Sequence, residues 1–237
     1  MLVTGATGSI GRATALRLAQ DGFAVTVHCR SRLAEALALC EEIRALGGTA
    51  DSLSFDVTDR PQARLLLEQR VEAAGPYWGI VCNAGITRDN AFPALSEADW
   101  DLVLDTSLDG FYNVVQPLLM PMIRLRQGGR IVCVASVSGV MGNRGQVNYS
   151  AAKAGLIGAA KALAVELAGR GITVNCLAPG LIESGMLEGL ERDRALQAVP
   201  MGRVGRPEDV AALTGFLCSP AAGYITRQVI GVNGGMI

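Results

Sequence analysis

The chain has 237 residues, enough for one large domain with a sizeable core. Half of them are apolar, yet no uninterrupted apolar run approaches the roughly 18 residues of a membrane-spanning helix. With 21 Lys and Arg against 22 Asp and Glu, the formal charge is −1, and no basic excess points to a nucleic acid.

The first predicted unit is MLVTGATGSIGRATALRLAQDG. It reads as a short apolar strand over residues 2–4, a Gly-rich turn, and a helix beginning near Ser9. Ile10, Ala13, Leu16 and Leu18 are its apolar positions, and Gly22 lies just beyond its end. Glycines at such a turn let backbone N–H groups approach a pyrophosphate at the positive end of the helix. Gly5, Thr7, Gly8, Ser9, Ile10 and Gly11 are therefore candidate cofactor contacts. A second strand over residues 24–28 runs into His28-Cys29-Arg30-Ser31-Arg32, which holds no carboxylate. Dinucleotide folds that take NAD place an acidic residue there for the ribose hydroxyls. A guanidinium suits a 2′-phosphate instead, and Ser31 can add a hydrogen bond, so Arg30 and Ser31 point to NADP(H). The plain alternative is a solvated arginine starting the next helix.

Further strands are predicted over residues 50–55, 79–82, 130–135, 173–178 and 228–232. Helices are predicted over residues 32–46, 61–73, 97–126, 147–168 and 207–217. Unbroken alternation predicts an α/β fold: a Rossmann-like, doubly wound parallel sheet of about seven strands, helices on both faces, one domain over residues 1–237. The least regular stretch, residues 180–204, suits a mobile lid over a substrate cleft.

Tyr149 and Lys153 stand four residues apart on one predicted helix face, and Ser136 lies thirteen residues before the tyrosine. A phenol ionises near 10, and a neighbouring ammonium favours the phenolate. A tyrosine tuned this way can protonate a carbonyl oxygen while that carbon is reduced, and Ser136 can hydrogen-bond the same oxygen. Tyr-x-x-x-Lys alone is also ordinary helix surface; the glycine turn at the other end of the chain shifts the weight toward a reductase.

Together these motifs resemble the short-chain dehydrogenase/reductase family over essentially the whole chain. Cys82-Asn83-Ala84-Gly85 resembles its Asn-Ala-Gly turn, which implies cofactor contacts from Asn83, Ala84 and Gly85. Asp56-Val57 resembles its adenine-contacting segment. Pro179, Gly180, Ile182 and Ser184 resemble its loop over the nicotinamide. The segments AGITRD, GNRGQVNYSAAKAG and VNGGM are most similar to β-ketoacyl-acyl-carrier-protein reductases, with acetoacetyl-CoA reductases close behind. The resemblance implies NADPH-dependent reduction of a 3-oxoacyl thioester, in fatty-acid or polyene/polyketide-type synthesis. It gives Tyr149 the acid, Lys153 the tuning of that acid and the nicotinamide ribose, and Ser136 the carbonyl.

Two positions depart from the family. Ser9 replaces the middle glycine of its usual motif. Ser107 occupies the position of a fourth catalytic residue, an asparagine that holds a helix bend and a relay water; a serine is too short for that span, which puts the relay in doubt. The resemblance also implies an acyl carrier protein as partner, docking on Arg126 and Arg170 near the active-site entrance, with Arg124 and Arg130 extending the patch. Cations at helix C-termini equally complement the helix dipole. A homodimer or homotetramer through the two long helices is implied as well.

Six cysteines without a C-x-x-C pair, several in apolar strands, predict reduced buried thiols in a cytoplasmic protein, as does a start without a signal-peptide pattern. One histidine, His28, gives little support to a zinc site or a Ser-His-Asp hydrolase. Two alternatives stay open: another alcohol or CoA-ester reductase, and a weakly catalytic cofactor-binding partner subunit.

Overall fold

A computed structural model describes residues 1–183 and 196–237. Seven parallel strands form one sheet: β1 (Leu2–Val3), β2 (Val25–Cys29), β3 (Ala50–Ser54), β4 (Gly79–Cys82), β5 (Gly129–Val134), β6 (Ile172–Pro179) and β7 (Val229–Val232). Their order is β3-β2-β1-β4-β5-β6-β7, so the winding reverses between β1 and β4. Ligands of such sheets bind beyond the strand C-termini at that switch point.

Both faces of the sheet are covered because alternate strand residues are apolar on each side. Leu2, Ile80, Ile131 and Val174 pack with α3 (Arg60–Ala74), α5 (Gly110–Leu125) and α7 (Val147–Leu167). Val3, Val27, Val132 and Leu177 face α1 (Ser9–Gln20), α2 (Leu33–Ala45) and the helix Pro207–Cys218, here α8. Each large side chain buried this way contributes about 1.5–3 kcal/mol. The expected doubly wound sheet is the observed one.

The expected helix over residues 97–126 is not continuous. It divides into α4 (Glu97–Leu104), a π-helical turn at Asp105–Asp109, and α5. Ser107 lies inside that turn. The bend forms here with serine at this position. Between β5 and α7 lies a short helix absent from the sequence expectation, α6 (Val137–Met141), with Ser136 as its N-cap.

All six cysteines are free and buried. Among the described residues, no helix is long and apolar enough to cross a membrane.

Candidate active site

The glycine turn is held by three neighbours. Gly5 has φ +62°, a left-handed conformation that favours glycine. A Cβ on Gly11 would collide with the Gly5 carbonyl and the Asn83 amide, so α1 can start this close to β1 only without a side chain there. Asn83 donates its amide to the carbonyls of Thr4 at 2.9 Å and Gly5 at 3.1 Å. The Thr4 hydroxyl accepts from the backbone N–H of Asn83 and of Ala84. The Asn83 side chain thus braces the turn. Gly8 caps α1 without a side-chain cap bond, and the first turn of α1 holds no acidic residue. Those free N–H groups at a helix N-terminus fit a pyrophosphate. Ser9 is exposed at this N-terminus and does not crowd it.

A cleft of about 710 Å³ runs from this turn across the C-terminal edge of the sheet. Of the residues expected from sequence, Gly5, Gly8, Ser9, Ile10, Gly11, Asn83, Ala84, Gly85, Ser136, Tyr149, Lys153, Pro179, Gly180 and Ile182 line it. Its volume and its helix-terminal donors fit a dinucleotide with a small substrate beside it. Thr7, Arg30, Ser31, Asp56 and Val57 are not on its wall; Arg30 and Ser31 are exposed just past β2. Ser184 lies outside the described residues, as does much of the expected lid. Arg32, the last residue of the carboxylate-free stretch after β2, is on the wall, its guanidinium 3.1 Å from Glu35.

Tyr149 and Lys153 project from the first turns of α7, and Ser136 lies two residues past β5, at the N-cap of α6. The Ser136 hydroxyl lines the cleft with the Tyr149 phenol and accepts the Ser138 N–H at 3.1 Å. The Lys153 ammonium is buried, donates to the Val134 carbonyl at 2.8 Å, and lies 5.5 Å from the centroid of the Tyr149 ring. Beneath it, Cys82, Cys133 and Cys176 stand in register across β4, β5 and β6. Burial lowers the pKa of this lysine to about 8. Burial also raises the Tyr149 phenol, against a lowering by the nearby Ser136 hydroxyl and with a further rise from Asp89. The direction is opposite to the expected depression by Lys153, because desolvation disfavours the phenolate. A protonated phenol is nonetheless the state a proton donor must have at neutral pH.

A second wall was not legible beforehand. Gln146 donates to Asp89 at 2.7 Å and accepts from Ser138 at 2.8 Å and Asn143 at 3.0 Å. The backbone of Asn90 donates to Gly145 at 2.8 Å, which latches the loop after β4 onto the loop before α7.

Behind the Asn83 turn, Ser107 is 3% exposed and its hydroxyl has no hydrogen-bond partner among the described residues. It borders an internal cavity of about 10 Å³ shared with Thr4, Val57 and Ala84. That is room for about one water.

The proposed docking cations lie elsewhere. Arg126 caps α5 and Arg170 ends the turn after α7, just before β5 and β6 begin. Helices of this fold run back against the strands, so these residues and Arg124 sit at the N-terminal edge of the sheet. The cleft is at the other edge, about 20 Å away over the six residues of β5. The expected position beside this chain's own entrance is thus incorrect. Arg130 is buried over Trp78, with its ring contact at 5.1 Å, and presents no charge for docking.

Residues 5–237 match a family model described as Enoyl-(Acyl carrier protein) reductase. The chain is 60% identical over 237 residues to the 3-oxoacyl-[acyl-carrier-protein] reductase FabG of Aggregatibacter actinomycetemcomitans, covering all of this chain and 98% of that protein. It is 45% identical to the protein of the same name from Thermotoga maritima, covering all of this chain and 96% of the relative. The Staphylococcus aureus protein of that name is 43% identical over 99% of this chain and 96% of its own length.

Proposed function

The chain belongs to the short-chain dehydrogenase/reductase family, and from that membership we propose that it is an NADPH-dependent 3-oxoacyl-[acyl-carrier-protein] reductase. The observation that carries the reading is the meeting of Ser136, Tyr149 and Lys153 in the cleft that the glycine turn opens. Full-length identity of 43–60% to relatives bearing that name supports the substrate class.

The reduced nicotinamide, when bound, supplies the hydride for the 3-keto carbon. Tyr149 gives its phenolic proton to the keto oxygen, and Ser136 holds that oxygen by a hydrogen bond. Lys153 keeps its proton at Nζ, ready to bond the nicotinamide ribose and to steady the phenolate left behind. Ser9 to Gly11 receive the pyrophosphate on their N–H groups. Arg30, with Ser31 and Arg32 beside it, reads the 2′-phosphate; Asp56 and Val57 border the adenine, and Ser184 is assigned to the nicotinamide by its match to the family's loop. A pair of adjacent hydroxyls suits a carbonyl oxygen better than a carbon–carbon double bond, which favours the relatives' reaction over the one in the family model's description.

The chain acts as a homodimer or homotetramer in the cytoplasm. Exposed Tyr112 and Met120 on α5 and Val165 on α7 support pairing through these helices, and six free buried thiols support a reducing compartment. In an antiparallel pair of chains, Arg126 and Arg170 of one come next to the cleft of the other, so an acidic carrier protein docks on one chain and delivers to its neighbour.

Oxidation of NADPH is to be followed with acetoacetyl and crotonyl thioesters, each on carrier protein and on CoA. Turnover of acetoacetyl-carrier protein above the CoA ester, with crotonyl inert, is expected. Preference for crotonyl would replace the reading with enoyl reduction. No turnover of any of them would leave the partner-subunit alternative.

A further inference from the structure

His28 is fully enclosed at 1% exposure, on the sheet face opposite Val27 and Cys29, at the end of β2 next to the glycine turn. A histidine in such a place must have both ring nitrogens satisfied. Its Nδ1 is 3.1 Å from the backbone N of Gly5, and its Nε2 is 3.0 Å from the carbonyl oxygen of Phe55. A backbone N–H can only donate and a carbonyl can only accept. The imidazole is therefore neutral, with the proton on Nε2 and Nδ1 bare. Burial lowers its pKa to about 4, which keeps that form at neutral pH.

The backbone carbonyl of the same residue accepts the N–H of Ala6 at 2.8 Å. Two consecutive amides of the turn, Gly5 and Ala6, are thus held by one residue. Gly5 is the position whose φ is +62°, and its carbonyl receives the N–H of Gly8, the α1 cap, at 3.1 Å. On its other side, the ring ties to Phe55 by the Nε2 bond and by a tilted stack at 4.2 Å, immediately before Asp56. One side chain links the pyrophosphate turn, the strand end that carries Arg30, and the segment leading to the adenine.

We propose that His28 is a positioning residue for the dinucleotide: by accepting the Gly5 N–H, it sets the turn that presents the amides of Ser9 to Gly11. The proposal rests on reading the cleft as a nicotinamide-dinucleotide site.

The two ring nitrogens can be tested separately. In His28→Asn, the amide oxygen takes the place of Nδ1 and still accepts from Gly5. In His28→Gln, the amide nitrogen takes the place of Nε2 and still donates to Phe55. His28→Phe keeps a ring on Phe55 and does neither. The dissociation constant for NADPH is measured by nucleotide fluorescence without acyl substrate, alongside Tm, kcat and the KM for the acyl thioester.

NADPH affinity is expected to fall roughly 10-fold or more in His28→Phe and His28→Gln, and less in His28→Asn. With saturating NADPH, kcat and the thioester KM are expected to stay within about 2-fold, since the groups near the keto carbon are untouched. If Phe does not fold, the Asn and Gln variants decide. Binding in Gln as tight as in Asn overturns the proposal, because acceptance from Gly5 then does not matter. So does a Phe variant that binds like wild type, or losses in Kd that simply follow Tm. A wild type that binds neither NADPH nor NADH overturns the cofactor reading, and this inference with it.

Discussion

The ammonium of Lys153 faces the ring of Tyr149 at 5.5 Å yet spends its hydrogen bond on the Val134 carbonyl, not on the phenol. The pair is arranged for two tasks: Tyr149 opens to the cleft with its proton, while Lys153 stays fixed behind it.

Tyr149→Phe is accordingly expected to lower kcat by about 10²- to 10⁴-fold, with the NADPH dissociation constant little changed. Lys153→Ala should lose both turnover and affinity, since one ammonium serves the ribose and the phenolate. Stopped-flow reduction, with fluorescence for binding, separates these effects. A phenylalanine variant keeping over a tenth of the single-turnover rate sinks the acid assignment.

Stability offers an independent check on Lys153. Its pKa falls from 10.5 to about 8 in the fold because burial disfavours the charge. Below about pH 8, both folded and unfolded chains carry this proton, and the fold bears the full cost of burying it. Between about 8 and 10.5, the folded lysine releases its proton while the unfolded one keeps it, so this group's contribution to stability rises with pH. That cost is about 3 kcal/mol at neutral pH, and losing the bond to Val134 takes back about 1. Lys153→Met should therefore raise the urea midpoint at pH 7 by an amount worth about 2 kcal/mol, and remove this rise above pH 8. A destabilised, pH-insensitive variant would show that the ammonium is not held at that cost.

Most of the seven strands were legible because they are short apolar runs between helical patterns; β3, with Asp51, Ser52 and Ser54 among its five residues, is the exception. The three catalytic candidates were legible by spacing, and the structure gathers them in one cleft. What escaped has a physical reason in each case. The π turn at Asp105–Asp109 adds backbone to a helix without breaking its apolar pattern, so residues 97–126 read as continuous. Helix α6 is only five residues long, too short to show a period. The wall of Asp89 and Gln146 joins side chains 57 residues apart, which no local pattern reports. Arg126 and Arg170 follow the C-terminal ends of α5 and α7, and the direction of those helices against the sheet, which local sequence does not report, puts them at the edge away from the cleft. His28 was read only as a poor metal ligand; its neighbour across the turn is 23 residues earlier.

Cofactor choice is expected to depend on two arginines. Arg30 is exposed and unpaired with any acid among the described residues, whereas Arg32 lines the cleft but shares its guanidinium with Glu35. Arg30→Asp adds repulsion as well as removing attraction, so the NADPH to NADH ratio of kcat/KM should fall by about 10- to 100-fold. Arg32→Ala should lower it less, because its exposed pair with Glu35 already offsets part of the charge. An unchanged ratio for Arg30→Asp, with a large fall for Arg32→Ala, would move phosphate recognition to the wall residue.

Ser107 poses the last question. The asparagine found at this position in the resembled family has two tasks, holding the helix bend and holding a relay water. The bend is present here with serine, so only the second task remains open. The Ser107 hydroxyl has no partner among the described residues and borders space for about one water, close to the turn that carries Asn83 and Ala84. A longer amide reaching into that space would restore one hydrogen bond, worth about 0.5–1.5 kcal/mol net. Ser107→Asn is therefore expected to raise kcat by about 2- to 10-fold, with little change in NADPH affinity. Ser107→Ala should leave kcat near wild type, because the hydroxyl it removes bonds to no other group among the described residues. Single-turnover NADPH oxidation across pH keeps product release from masking the step. Equal rates and pH profiles for serine and asparagine would mean that proton resupply to Tyr149 does not pass this way. A large loss in Ser107→Ala would mean that the hydroxyl and a water beside it already form the relay. A wild type without turnover, rescued by asparagine, would instead make this chain a cofactor-binding partner that lost its relay.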